Sequence, residues 1–129
     1  MSQRALILFA HGARAASWAA PFERLRDLAQ AREPDVRVSL AFLELMSPRL
    51  PDHVAQLVAD GVSDITLVPV FLGQGGHVLR DLPVIVDELR ATYPDTTIKV
   101  VEAAGENAAV LNALCDYCVG ALSSDASPH

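Results

Sequence analysis

Ile65-Thr66-Leu67-Val68-Pro69-Val70-Phe71, followed at once by Leu72-Gly73-Gln74-Gly75-Gly76-His77, decides the fold. The first seven residues form a short β-rich run with apolar residues at both parities (Ile65 and Leu67, Val68 and Val70). Such a strand is buried on both faces, as at the centre of a parallel sheet. Downstream, Asp81 is expected to cap a helix that tolerates Pro83 in its first turn and runs to about Thr92. Pro94 precedes a strand over Thr97–Glu102, and Asn107 opens a last helix over Ala108–Leu122. Upstream, Val54, Leu57 and Val58 mark a helix over Asp52–Asp60 that Gly61 closes. Before it come a strand at Val36–Phe42, a helix at Trp18–Arg32 and a first strand at Ala5–Ala10. Phe22, Leu25, Leu28 and Ala29 give that first helix its apolar stripe, Ser17 is its expected cap, and Pro34 prevents its continuation.

Strict alternation of strand and helix implies a parallel sheet with right-handed crossovers and helices on both faces. The expected architecture is a three-layer α/β domain with four parallel strands in the order 2-1-3-4. At 129 residues the chain suits one domain. That domain is expected over residues 1–122, with a small polar tail at 123–129 expected to be disordered.

The formal net charge is −6 and no long basic stretch occurs, which argues against nucleic acid as a partner. The run Ala5–Ala10 is too short for a signal peptide or a membrane span, and no other apolar run is longer. The chain is therefore read as cytoplasmic, with no membrane partner. Cys115 and Cys118 lie late in the last helix rather than at a helix start after a strand. At i and i+3 they share a helix face and are expected to be buried together.

In an open parallel sheet, ligands bind beyond the carboxyl ends of the strands, where strand order reverses. The order 2-1-3-4 places that point between strands one and three. His11 follows strand one directly, His77 follows strand three across the glycine-rich loop, and Glu44 lies just past strand two. Taken singly, each residue also suits a surface or capping role. Together, two imidazoles and a carboxylate suit a divalent first-row metal and leave coordination positions open. A carboxylate nearby can also take up protons. Gly12 lets the turn after His11 curve tightly, while Gly73, Gly75 and Gly76 let a large flat ligand approach the backbone. The loop lacks the Lys-Ser/Thr pair of a phosphate loop, and no G-x-G-x-x-G follows strand one. His53 reads as a surface residue of its helix, and His129 is given no role.

Three segments resemble the sirohydrochlorin chelatases. Phe9-Ala10-His11-Gly12-Ala13-Arg14 is similar to that family's H-G-S-R start. Phe42-Leu43-Glu44-Leu45 with Pro48 is similar to its F-L-E-x-x-x-P stretch. Val68–Leu72 with Gly73, Gly76-His77-Val78 and Asp81-Leu82-Pro83 is similar to its P-x-F-L-x-x-G-x-H-x-x-x-D-x-P stretch. The blocks keep the family's order and spacing, and the resemblance covers roughly residues 4 to 120. It implies a chelatase-type, flavodoxin-like domain that inserts cobalt or iron, as a substrate, into the tetrapyrrole sirohydrochlorin in cobalamin or siroheme biosynthesis. It further implies a homodimer and no organic cofactor. By matching position, His11 and His77 would be the metal-binding and catalytic histidines, and Glu44 the acidic residue near the metal. Gly12, Gly75 and Gly76 would face the macrocycle, with Arg14 and Arg80 expected to meet its carboxylates.

The chain departs from the family at Ala10, Ala13 and Gly105-Glu106-Asn107-Ala108, the last standing where G-x-H-P is common. A metal or tetrapyrrole carrier on the same fold is the alternative reading. A phosphate or nucleotide binder and a redox protein using Cys115 and Cys118 are the more distant ones.

Overall fold

The structure, a computed structural model, describes residues 3–73 and 75–123, excepting the side chains of His77 and Leu79. Gln74 and residues 124–129 of the expected tail lie outside the described residues. The chain runs β1 (Gln3–Ala10), a 3-10 turn (Ala16–Ala19), α1 (Ala20–Arg32), β2 (Arg37–Phe42), α2 (Leu50–Ala59) and β3 (Val62–Pro69). It continues with α3 (Gly76–Thr92), β4 (Thr97–Val100), a second 3-10 turn (Ala104–Glu106) and α4 (Ala108–Leu122). All strands are parallel, as the alternation predicts, and stand in the expected order β2-β1-β3-β4.

Side-chain alternation along each strand divides the core between the two sheet faces. On one face Ile7, Phe9, Ile65, Leu67 and Ile98 pack against Leu50, Val54 and Leu57 of α2 and Val78, Leu82, Val86 and Leu89 of α3. Phe9, Ile7, Ile65 and Leu67 are 0–1 % exposed, so each contributes about 1.5–3 kcal/mol of burial. On the other face Ala10 and Phe42 pack with Trp18 and Ala19 of the 3-10 turn and Phe22 of the first turn of α1.

Several boundaries differ from expectation, each for a local reason. α3 begins at Gly76, five residues before Asp81, because Val78, Leu82, Val86 and Leu89 share one inward face; Pro83 therefore sits inside the helix. α2 begins at Leu50, itself 1 % exposed and part of the stripe, with Pro51 in its first turn. Ser17 does not cap α1 with its side chain; it lies within the 3-10 turn, and its carbonyl accepts the Ala20 N–H. Gly61 ends α2 at φ +92°, as expected of a helix-terminating glycine. Asn107 caps α4 as expected, its side chain accepting from the Ala109 and Val110 N–H groups.

Three burial expectations fail. Leu25 and Leu28 are 41 % and 61 % exposed, because α1 turns Phe22, Arg26, Ala29 and Gln30 toward the sheet instead. Gln30 fixes that rotation: its Oε1 accepts the Val38 N–H at 3.0 Å and its Nε2 donates to the Val36 carbonyl at 2.7 Å. β3 is buried on one face only; Thr66 and Val68 on the other face, and Val70 just past the strand, stay half-buried. Cys115 and Cys118 are exposed, because α4 packs on the turn before it and not on the sheet.

Candidate functional site

The β1–β2 pairing continues past both strand ends and carries two candidate residues with it. The Leu43 N–H donates to the Ala10 carbonyl at 3.0 Å, and the Glu44 N–H donates to the His11 carbonyl at 3.1 Å. This extended ladder sets the two side chains together, with His11 Nε2 3.4 Å from Glu44 Oε1. Both are part-exposed, 44 % and 39 % by side chain, so they face solvent at the rim and not the core.

Gly12 makes this approach possible. Its φ is +98°, and a Cβ at that position would lie 1.8 Å from the Glu44 carbonyl oxygen. Past Glu44 the chain turns sharply: Leu45 has φ 67°, and the Met46 N–H donates to the Glu44 carbonyl at 2.8 Å. A leucine in the left-handed region is uncommon, and such strain concentrates at functional sites.

His77 falls in the first turn of α3, beyond the C-terminal end of β3, on the strand rim that carries His11. Its imidazole lies outside the described residues. Among the described residues, no third His, Cys, Asp or Glu joins His11 and Glu44 in a cluster able to hold a metal. Gly73, Gly75 and Gly76 have open space where a side chain would be, which leaves the loop backbone approachable. Arg14 is exposed. So is Arg80, whose Nε donates to the Gly76 carbonyl at 3.3 Å across one helical turn.

Three openings adjoin the rim, one of them, about 400 Å³, lined by Glu44 with Leu43, Arg49 and Asp81. The one that holds His11 is about 360 Å³ and is bounded by Trp18, Phe22, Val70, Phe71, Leu72, Gly73 and Gly75. A larger cleft of about 800 Å³ runs along β2 and holds Arg14, Leu45 and His53, but not His11. We assign the site to the opening that holds His11, since an imidazole and the glycine-rich loop both face it.

Sequence reasoning missed three residues at the site, Trp18, Phe22 and Gly105, and misjudged His53 in the larger cleft. Trp18 and Phe22 form an aromatic pair, centroids 4.7 Å apart, that walls the crevice; by spacing alone Phe22 reads as helix core and Trp18 only as the helix start. Gly105 supports the loop from below, its N–H donating to the Phe71 carbonyl at 2.8 Å. A Cβ on Gly105 would lie 1.8 Å from the Leu72 carbonyl oxygen. His53 is half-buried rather than a surface residue, with Nε2 2.6 Å from Ser39 Oγ. Burial, and secondarily the Arg37 cation, hold its pKa below the usual imidazole value. Among the described residues, no helix is long and apolar enough to cross a membrane.

The chain resembles known proteins along its length. It is 29 % identical over 82 residues to a sirohydrochlorin cobaltochelatase of Methanococcus aeolicus, covering 64 % of this chain and 57 % of that one. It is 24 % identical over 124 residues to a sirohydrochlorin cobaltochelatase of Sulfolobus acidocaldarius, covering 96 % and 97 %. The chain spans about half the length of the first curated relatives it matches. Among solved structures, a CbiX protein from Marinobacter aquaeolei VT8, described under cobalamin (vitamin B12) biosynthesis, superposes with a TM-score of 0.80 at 31 % identity, over 92 % of this chain and 97 % of that one. The sirohydrochlorin chelatase SirB from Bacillus subtilis subspecies spizizenii, in complex with cobalt, gives a TM-score of 0.76 at 22 % identity, over 93 % and 51 %, which shows a shared fold. The CbiX family model matches residues 5–119, and the chain belongs to that family.

Proposed function

We propose that this protein inserts a divalent metal, cobalt or iron, into sirohydrochlorin. The observation that carries the reading is the His11–Glu44 pair, 3.4 Å apart at the β1 end of the rim and opposite the open glycine-rich loop. Imidazole and carboxylate form a donor set for cobalt(II) or iron(II) that leaves sites free for pyrrole nitrogens. The family match and the relatives' printed activity support the same reading.

The metal, as substrate, is held by His11 and Glu44, with His77 completing the set from the start of α3. The macrocycle lies over Gly73–Gly76 with Trp18 and Phe22 against one side; aromatic rings offer an apolar face at little entropic cost. Arg14 and Arg80 meet its carboxylates. Insertion replaces two pyrrolic N–H bonds by metal–nitrogen bonds, so two protons must leave. Glu44 or a neutral imidazole accepts them as the ion transfers. The active unit is a homodimer.

Turnover tests the reading against metal or tetrapyrrole carriage. With protein at one-hundredth of the sirohydrochlorin concentration under anaerobic conditions, a catalyst metallates the whole pool faster than the no-protein control. A carrier changes the spectrum of at most one equivalent, and that result would reject catalysis.

A further inference from the structure

Ser39 and His53 meet at the outer edge of β2, with Ser39 Oγ 2.6 Å from His53 Nε2. Side chains alternate along a strand, so Ser39 shares the sheet face of Ala41, the face covered by α2, and His53 reaches it from the start of α2. Both residues are half-buried and line the cleft of about 800 Å³, which contains neither His11 nor Glu44. A hydroxyl held against a neutral imidazole is the core of an activated nucleophile. Burial, and secondarily Arg37, hold the His53 pKa below the ordinary 6.5, so its ring is neutral in neutral solution. With its own proton on Nδ1, that ring accepts the Ser39 hydroxyl proton at Nε2. Arg37 opposes the imidazolium that results, but its guanidinium is paired with Asp60 at 2.8 Å.

Acyl chemistry also needs a donor for the developing oxyanion. β2 is an edge strand, paired with β1 on one side only. Along its outer side the Val38 N–H donates to Gln30 Oε1 at 3.0 Å, and the Phe42 N–H donates to the Pro48 carbonyl at 2.9 Å. Backbone groups of a strand alternate in direction, so the Leu40 N–H points outward between these two. Leu40 lines the cleft and directly follows Ser39. The N–H of the residue after a nucleophilic serine is a recurrent oxyanion donor. Phe42, Met46 and Pro48 give the same cleft an apolar wall.

We propose that Ser39 and His53 form a second reactive centre, which hydrolyses carboxylic esters with an apolar acyl group. Ser39 Oγ attacks the ester carbonyl carbon as its proton passes to His53 Nε2, and the carbonyl oxygen takes up negative charge against the Leu40 N–H. The carbon–oxygen bond to the alcohol then breaks. The alcohol leaves with the proton from His53, and the acyl group stays on Ser39. Water attacks that acyl group in turn, giving one proton to His53. Ser39 leaves as the acyl-serine bond breaks, recovers its proton from His53, and a carboxylic acid is released. The acyl chain lies on Phe42, Met46 and Pro48. Because the cleft contains neither His11 nor Glu44, this activity is independent of metal insertion.

Two measurements on the full chain test the proposal. Hydrolysis of p-nitrophenyl butyrate, with a metal chelator present, reads turnover. Treatment with a fluorophosphonate, followed by peptide mass spectrometry, reads which residue is the nucleophile. The expected result is hydrolysis faster than an equal concentration of free imidazole gives, lowered about tenfold or more in Ser39→Ala and in His53→Gln. Circular dichroism checks that both variants fold. The wild-type adduct should map to Ser39 and form about tenfold more slowly in His53→Gln. Hydrolysis no faster than the imidazole control, a folded Ser39→Ala as active as the wild type, or a wild-type adduct missing from Ser39 would each overturn the proposal. Should a variant fail to fold, turnover and the adduct site in the wild type decide between these outcomes.

Discussion

The carbonyl oxygen of Glu44 occupies the place where a Cβ on Gly12 would be, 1.8 Å from it. This single contact locks the loop after β1 onto the loop after β2, and with it the placement of His11 against Glu44. Gly12→Ala must relieve both the clash and a φ of +98°. The backbone conformation alone costs on the order of 1–3 kcal/mol. Urea unfolding should show at least that loss, and metal insertion should fall further than stability does, because the two side chains separate.

Gly105→Ala makes a sharper case for loop placement. The added methyl meets the Leu72 carbonyl at 1.8 Å and pushes the loop that leads to His77. The expected outcome is a lowered insertion rate with a native circular-dichroism spectrum, measured at saturating sirohydrochlorin.

Trp18 stands at the crevice wall and pairs with Phe22. Trp18→Ala should therefore raise KM for sirohydrochlorin roughly tenfold, equivalent to about 1.4 kcal/mol of lost stacking. Steady-state kinetics should show kcat changing less than KM.

His53 gives stability a pH dependence of known sign. Its folded pKa lies below the ordinary value of 6.5, mainly through burial and then through Arg37. The unfolded chain thus binds the proton more readily, so this stability is full above about pH 6.5 and is lost as pH falls through the folded pKa. Thermal unfolding followed from pH 7.5 to 5 should show a declining midpoint. His53→Gln should flatten that decline in this window.

The fold was legible wherever periodicity and burial agree. β3 reads as a central strand, with Ile65 and Leu67 buried as expected, and the parallel sheet follows from alternation; the order 2-1-3-4 is that of a flavodoxin-like domain. His11 and Glu44 were legible because each directly follows a strand that the order places side by side. Less was legible where a residue's partner is remote in sequence. Ser39 turns His53 inward from 14 residues away, and Gln30 rotates α1 so that Leu25 and Leu28 face out. The start of α3 was misplaced because Asp81 and Pro83 carry helix-start chemistry, while the buried stripe beginning at Val78 decides the boundary. The i, i+3 spacing of Cys115 and Cys118 predicts a shared buried face, but α4 packs on the turn before it and leaves both exposed.

The most direct test of the account is anaerobic metal insertion, followed by absorbance, with sirohydrochlorin and cobalt(II) or iron(II). Wild type is compared with His11→Ala, Glu44→Gln, His77→Ala and a no-protein control. Loss of a positioned proton acceptor or metal ligand is worth about 10²–10⁴ in rate. The account predicts acceleration by the wild type and a loss of that order in His11→Ala and Glu44→Gln, each still folded. Wild-type rates no faster than the control with both metals, or folded His11→Ala and Glu44→Gln variants as fast as the wild type, would contradict it.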